Sequence, residues 1–158
     1  MTSAYLSTSR SLPISLLRAR ERVMGPIRAM LADVGITEQQ WRVLRVLQED
    51  GAMEPTRIAE QACLLLPSLT RILQKLEEKA LIARRPDPQD RRKQIVQITD
   101  LGADLIDANL DTSIALMNAV RDRMGAERYE ALLDLLNELD ACEAAAAKDA
   151  RFAKAETA

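Results

Sequence analysis

A chain of 158 residues suffices for one domain of ordinary size, and a hydrophobic fraction of 47% supplies a core. It holds no histidine, which removes the commonest general base and the commonest metal ligand, and Cys63 and Cys142 are its only cysteines, so no metal, cofactor or disulfide framework is expected. The net charge of −2 is unevenly spread: residues 66–99 carry eight Lys/Arg against four Asp/Glu, and residues 100–158 carry six against thirteen, which concentrates attraction for phosphate on one stretch of an acidic chain.

Residues 1–10 are polar. A helical pattern follows over 11–34, with Leu16, Val23, Ile27, Met30 and Leu31 at three- and four-residue steps. Gly25-Pro26 should kink or loosen it, and Gly35 should end it. Thr37 and Gln40 form a capping box for a second helix, whose core face is Val43, Leu44 and Leu47. Pro55 opens a short third helix with Ile58, Ala59 and Ala62 inward. Pro67 opens a fourth, with Leu69, Ile72, Leu73, Leu76 and Ala80 on one face. Leu81 to Arg85 reads as a strand. After a turn rich in proline and aspartate, Ile95, Val96 and Ile98 form its return strand. Thr99 caps a long fifth helix marked by Leu101, Leu105, Leu110, Ile114, Met117 and Val120. Gly125 breaks it, and the sixth helix carries Tyr129, Leu132, Leu133, Leu136 and Leu139. Residues 148–158 read as a disordered tail. No run approaches the roughly 18 apolar residues of a membrane span, and the first residues lack the apolar core of a signal peptide. No membrane association is expected, and a reducing cytoplasm is the expected compartment.

The fold class is therefore mainly α: four helices, a β-hairpin and two more helices. Two short helices joined by a few residues, the second polar and basic near its start, make a helix-turn-helix, and the basic hairpin behind it makes the winged form. The lobe spans 37–99, and the helices at 11–34 and 100–147 are left for dimerisation.

These residues carry a resemblance to the MarR family of transcriptional regulators along nearly the whole chain. Asp90-x-Arg92, then five residues, then Ile98-Thr99 with Gly102 following, is similar to the family's wing pattern. Pro67-Ser68-Leu69-Thr70-Arg71-Ile72-Leu73 and Leu76-Glu77-Glu78-Lys79-Ala80-Leu81-Ile82 fit the recognition helix, with Ala80 where the family often has glycine. Leu16-Leu17-x-Ala19-Arg20-Glu21, Thr37-Glu38-Gln39-Gln40-Trp41-Arg42 and Cys63-Leu64-Leu65-x-Pro67-Ser68 resemble the subgroup that represses homoprotocatechuate (4-hydroxyphenylacetate) degradation operons. The resemblance implies a homodimer, a pseudo-palindromic operator in double-stranded DNA, and release from it by a small aromatic carboxylate.

On the fourth helix, Pro67, Ser68, Thr70, Arg71, Gln74 and Lys75 are the candidate DNA contacts. Arg71 is suited to guanine O6/N7 and Gln74 to adenine N6/N7. On the wing, Asp90, Arg91, Arg92 and Lys93 are candidates. Asp90 is placed to hold the Arg92 guanidinium, and the resemblance implies that Arg92 either makes this pair or enters the minor groove. Arg18, Arg20, Arg22 and Arg28 crowd the first helix beside one glutamate, and arginine is the natural bidentate partner of a carboxylate. With Trp41, the only tryptophan, they form the candidate effector site; Trp41 serves equally well as a core anchor. An enzyme is not supported, because the chain offers no histidine, no glycine-rich phosphate loop and no nucleophile beside a base. Two other readings stay open: a redox-responsive regulator using Cys63, whose apolar neighbours predict a buried thiol instead, and a helical interaction dimer that does not bind DNA.

Overall fold

The structure, a computed structural model, describes residues 7–155, with side chains through Cys142. After a 3-10 turn at Thr8–Arg10, the elements are α1 (Leu12–Asp33), α2 (Glu38–Asp50), α3 (Pro55–Gln61), α4 (Leu66–Glu78), β1 (Ile82–Pro86), β2 (Gln94–Ile98), α5 (Asp100–Met124) and α6 (Ala126–Ala155). The chain divides into two compact units, one ending at Leu116 and one beginning at Met117. The division falls within α5, whose only buried residues, Gly102 and Ile106, sit at its start.

In the first unit the core is built from the faces that the helical periodicity marks. Val43, Leu44 and Leu47 of α2, Ile58 and Ala59 of α3 with Ala62 just beyond it, and Leu69, Leu73 and Leu76 of α4 are all buried. Each large side chain among them contributes about 1.5–3 kcal/mol of transfer free energy. Both halves of the capping box on α2 are present: Gln40 N–H donates to Thr37 Oγ1 at 3.2 Å and Thr37 N–H donates to Gln40 Oε1 at 3.1 Å. α1 passes through Pro26 without interruption, although proline removes one of its hydrogen-bond donors.

β1 and β2 pair antiparallel in the register Ile82↔Ile98, Arg84↔Val96 and Pro86↔Gln94. Met53, between α2 and α3, adds a one-residue bridge on the far side of β2, exchanging hydrogen bonds with Val96 at 3.0 and 2.9 Å. The hairpin is thus tied at the middle of β2 to the segment that leads into α3.

Two expectations are corrected. Ala80 is not part of the apolar face of α4. It lies past the helix end, exposed, with φ of 58°. Leu81 N–H donates back to Leu76 O at 3.0 Å and Ala80 N–H to Glu77 O at 2.9 Å, a helix stop that places residue 80 in the left-handed region. The family's usual glycine would sit there without strain. α6 also runs through 148–155, where a disordered tail is predicted; alanine, lysine and arginine dominate that stretch, and no glycine or proline stops the helix after Gly125. Positions 156–158 lie outside the described residues.

Gly102 is fixed by space. A Cβ there would stand 2.2 Å from the Leu81 carbonyl oxygen and 2.8 Å from Ile98 Cγ1. Thr99 holds this contact together. Its N–H donates to Leu81 O at 3.1 Å, its hydroxyl donates to Ala80 O at 2.7 Å, and the same hydroxyl accepts from Gly102 N–H at 3.1 Å.

Relieving the left-handed alanine should be stabilising. An L residue in that region costs about 1–2 kcal/mol, part of which glycine returns as unfolded-chain entropy. Ala80→Gly is expected to raise stability by about 0.5–1 kcal/mol in denaturant titration, with DNA affinity preserved.

Candidate nucleic-acid interface and the charged cluster beside it

α4 opens with Pro67 in its first turn and no acidic residue there. Its apolar face is spent on the core, so the face carrying Ser68, Thr70, Arg71, Gln74 and Lys75 is exposed. Thr70 Oγ1 turns back to Leu66 O at 3.1 Å, and Lys75 Nζ lies 2.8 Å from Glu78 Oε2. Arg71 and Gln74 have no side-chain partner among the described residues. All their side-chain donors are left for a ligand. Ser68, Arg71 and Lys75 also border a shallow cleft of about 380 Å³ that Thr37, Gln39 and Gln40 close from the α2 side.

At the wing, residues 87–93 form a closed turn. Asp87 N–H donates to Lys93 O and Lys93 N–H to Asp90 O, both at 2.9 Å. The aspartates brace it from inside: Asp87 Oδ1 accepts from Gln89 N–H at 2.8 Å, and Asp90 Oδ1 from Arg92 N–H at 3.0 Å. Asp90 therefore holds the backbone of Arg92 and not its guanidinium, a correction to the expected side-chain pair. A short acidic side chain two residues before an N–H closes an Asx turn more readily than it reaches an arginine head group. Arg91 and Arg92 are exposed and form no ion pair among the described residues, whereas Lys93 Nζ lies 3.1 Å from Glu54 Oε1.

Strand alternation separates two arginines of β1. Arg84 shares the face of the buried Val96 and pairs with Glu77 of α4, its Nε at 2.9 Å. Arg85 points to the opposite face and is exposed. Two adjacent arginines in a strand must divide in this way, and that signal would have added Arg85 to the candidate contacts.

The arginines of α1 do not act as a set. Arg20 and Arg28 converge on Glu38, at the first position of α2. Arg28 Nη1 is 3.1 Å from Glu38 Oε2, its Nη2 is 2.6 Å from Glu21 Oε2, and Arg20 Nη1 is 3.6 Å from Glu21 Oε1. Arg18 instead reaches Thr8 Oγ1 at 3.4 Å, and Arg22 has no such partner among the described residues. Trp41 is buried one turn along α2 from Glu38 and serves the core. Glu38, whose side chain is 11% exposed, is the residue that sequence reasoning missed, although it lies within the segment Thr37-Glu38-Gln39-Gln40-Trp41 that resembles the subgroup. Hydrogen bonding to Arg20 holds its carboxyl below the usual glutamate range, against the opposing effect of burial. A cleft of about 420 Å³ adjoins this cluster, lined by Arg28, Leu31, Ala32, Ile36, Thr37, Glu38 and Gln39. Cys63 is exposed, not buried as predicted, because it takes the left-handed position, φ 51°, that ends α3.

An exposed helix face beside a braced basic hairpin is the geometry of a winged helix-turn-helix. The MarR-family pattern matches residues 36–93. The chain is 37% identical over 133 residues to the HTH-type transcriptional regulator FarR of Neisseria gonorrhoeae, covering 84% of this chain and 91% of that one. It is 35% identical over 128 residues to the homoprotocatechuate degradative operon repressor of Escherichia coli, covering 81% and 86%. The crystal structure of NadR in complex with 4-hydroxyphenylacetate superposes with a TM-score of 0.77 at 36% identity, covering 85% of this chain and 98% of that one. The chain belongs to the MarR family: it is a transcriptional regulator and not an enzyme. Among the described residues no helix is long and apolar enough to cross a membrane.

The lowered carboxyl of Glu38 sets a direction for pH dependence. A depressed folded value stabilises above the unfolded value, near 4.5, and that contribution is lost as pH falls through the folded value. Glu38→Gln should therefore lower the melting temperature at neutral pH by a few degrees. The gap from wild type should narrow once the pH drops below 4.5, as followed by thermal unfolding across an acid series.

Proposed function

We propose that the protein represses an aromatic-compound catabolic operon, binding a pseudo-palindromic operator as a homodimer and leaving it when a small aromatic acid binds. The observation that carries the DNA-binding half is the pair of free cationic surfaces: Arg71 with Gln74 on α4, and Arg91 with Arg92 at the wing tip. α4 is the element suited to the major groove, and the wing to the backbone or minor groove. Support for a dimer comes from apolar side chains left exposed, Leu12, Leu16 and Leu17 on α1 and Leu132, Leu133, Leu135 and Leu136 on α6. An isologous pair would present two recognition helices about 34 Å apart, one DNA turn.

An operator selected by the protein from a random duplex pool tests the division of labour. Arg92→Ala should weaken binding to operator and unrelated DNA by similar factors and reduce the salt slope by about one. Arg71→Ala should lose about 1–3 kcal/mol of discrimination at one position in each half-site. If both variants lose affinity with sequence preference intact, the assignment of base and backbone readers is wrong.

The effector reading rests on the relatives together with the α1 arginines. Each guanidinium has five N–H donors, so Arg20 and Arg28 keep capacity for a further carboxylate beside Glu21 and Glu38, and Leu31, Ala32 and Ile36 offer an apolar wall to a ring. 4-Hydroxyphenylacetate, homoprotocatechuate, hydroxycinnamates and salicylate, titrated into the protein–operator complex, should include at least one that releases DNA and shifts Trp41 fluorescence. Arg20→Gln and Arg28→Gln should each raise the concentration required. A second reading is favoured by the exposed Cys63 thiol: release by an oxidant, with none of these acids active, would replace ligand sensing by redox sensing.

A further inference from the structure

The cations between residues 66 and 99 fall into two groups. Lys75, Arg84 and Lys93 each pair with a glutamate, and Lys79 donates to Gly35 O at 2.5 Å. Arg71, Arg85, Arg91 and Arg92 have no side-chain partner among the described residues. The pair between Lys93 and Glu54 is the one that joins the wing to the start of α3.

The Glu54 carbonyl accepts from Arg57 N–H and Ile58 N–H, but its carboxylate has no other partner among the described residues. Glu54 occupies the N-cap position of α3, yet its side chain caps no N–H of that helix. Its backbone is fixed next to the wing, because Met53 exchanges two hydrogen bonds with Val96 of β2. The remaining carboxylates facing Lys93, those of Asp87 and Asp90, are committed to the backbone of the turn. The Lys93–Glu54 pair is open to water, with side chains 53% and 36% exposed, so it adds little to folding. Yet Lys93 follows directly on the exposed Arg91 and Arg92 of the wing tip.

We infer that Glu54 is a resident counter-anion for the wing, occupying on Lys93 the place of a DNA phosphate and so limiting the wing's attraction for any nucleic-acid backbone. This rests on the reading that the wing contacts DNA. Glu54 acts through Lys93 and is a positioning residue. When duplex DNA arrives, a phosphate must displace the carboxylate or sit beside it, and either lowers affinity irrespective of base sequence. Binding therefore depends more heavily on Arg71 and the two tip arginines. The hydrogen bond to Glu54 raises the pKa of Lys93 and so favours its charged form.

The test uses the full chain and a mixed-sequence duplex as the probe, with affinity measured across a salt series. Glu54→Gln should tighten binding severalfold and steepen the salt slope by about one ion. Its melting temperature should stay close to that of wild type. Lys93→Gln should cancel the gain when combined with Glu54→Gln, and should have a smaller effect alone than in that background. Unchanged affinity and slope in Glu54→Gln would overturn the inference, as would weaker binding, which would make Glu54 the residue that aims Lys93 at DNA. Arg92→Ala in parallel separates the two levels. If it weakens binding while Glu54→Gln does nothing, only this inference fails; if neither changes binding, the wing does not meet DNA.

Discussion

The geometry of the reading surface depends on one carbonyl. Leu81 O sits where α4 has ended, β1 begins and α5 crosses behind, and it accepts from Thr99 N–H while lying against Gly102. Through it, the left-handed turn at Ala80, the return of β2 and the first turn of α5 are one rigid joint. The direction of α4 relative to the hairpin follows from that joint. So does the spacing between the two surfaces offered to DNA, because Arg71 is held by one arm of it and Arg92 by the other. A Cβ at position 102 would have to push the carbonyl or the helix away, and overpacking of this kind costs about 1–3 kcal/mol. The Gly102 that follows the wing pattern is thus explained by contact with backbone and needs no ligand.

Much of this was legible in the sequence, for reasons specific to each element. The capping box at Thr37 and Gln40 and the apolar faces of α2 and α3 could be read because hydrogen-bond geometry and helical period are local. The hairpin was legible because alternation and turn chemistry are local too. What escaped was the pairing of charges. Nothing in the segment Thr37–Trp41 says that Glu38 meets Arg20 and Arg28, since that contact depends on how α1 crosses α2. Which donor of Arg92 meets Asp90 is hidden for a related reason: proximity along the chain identifies the partner residue but not which of its N–H groups wins. Cys63 was misjudged because its apolar neighbours suggested burial, whereas the turn turns its side chain outward.

Two glutamates stand where an anionic ligand would otherwise be met, and the physics separates their roles. Glu54 holds a single lysine in the open, where an ion pair contributes about 0–1 kcal/mol and exchanges with solvent ions readily. Glu38 bridges two arginines and its own side chain is largely covered, while Arg20 and Arg28 stay open to water, so removing it would take from both arginines the partner that ties α1 to α2. The first arrangement suits a contact that must give way each time DNA is bound. The second suits a joint between α1 and α2 that should persist through binding and release.

That difference constrains how an effector could work. An acid that merely displaced Glu38 would exchange one carboxylate for another and leave the arginines' charge unchanged. A shift in DNA affinity needs unequal binding to the DNA-competent and DNA-incompetent arrangements, and each tenfold in affinity requires about 1.4 kcal/mol of that difference. The part of the ligand able to supply it is the apolar part. A ring against Leu31, Ala32 and Ile36 would bury area that depends on how far α1 stands from the start of α2. On the proposed reading the carboxylate would provide orientation through the spare N–H donors of the arginines. The ring would provide the bias, so among acids of equal charge, potency should follow the size and shape of the apolar group.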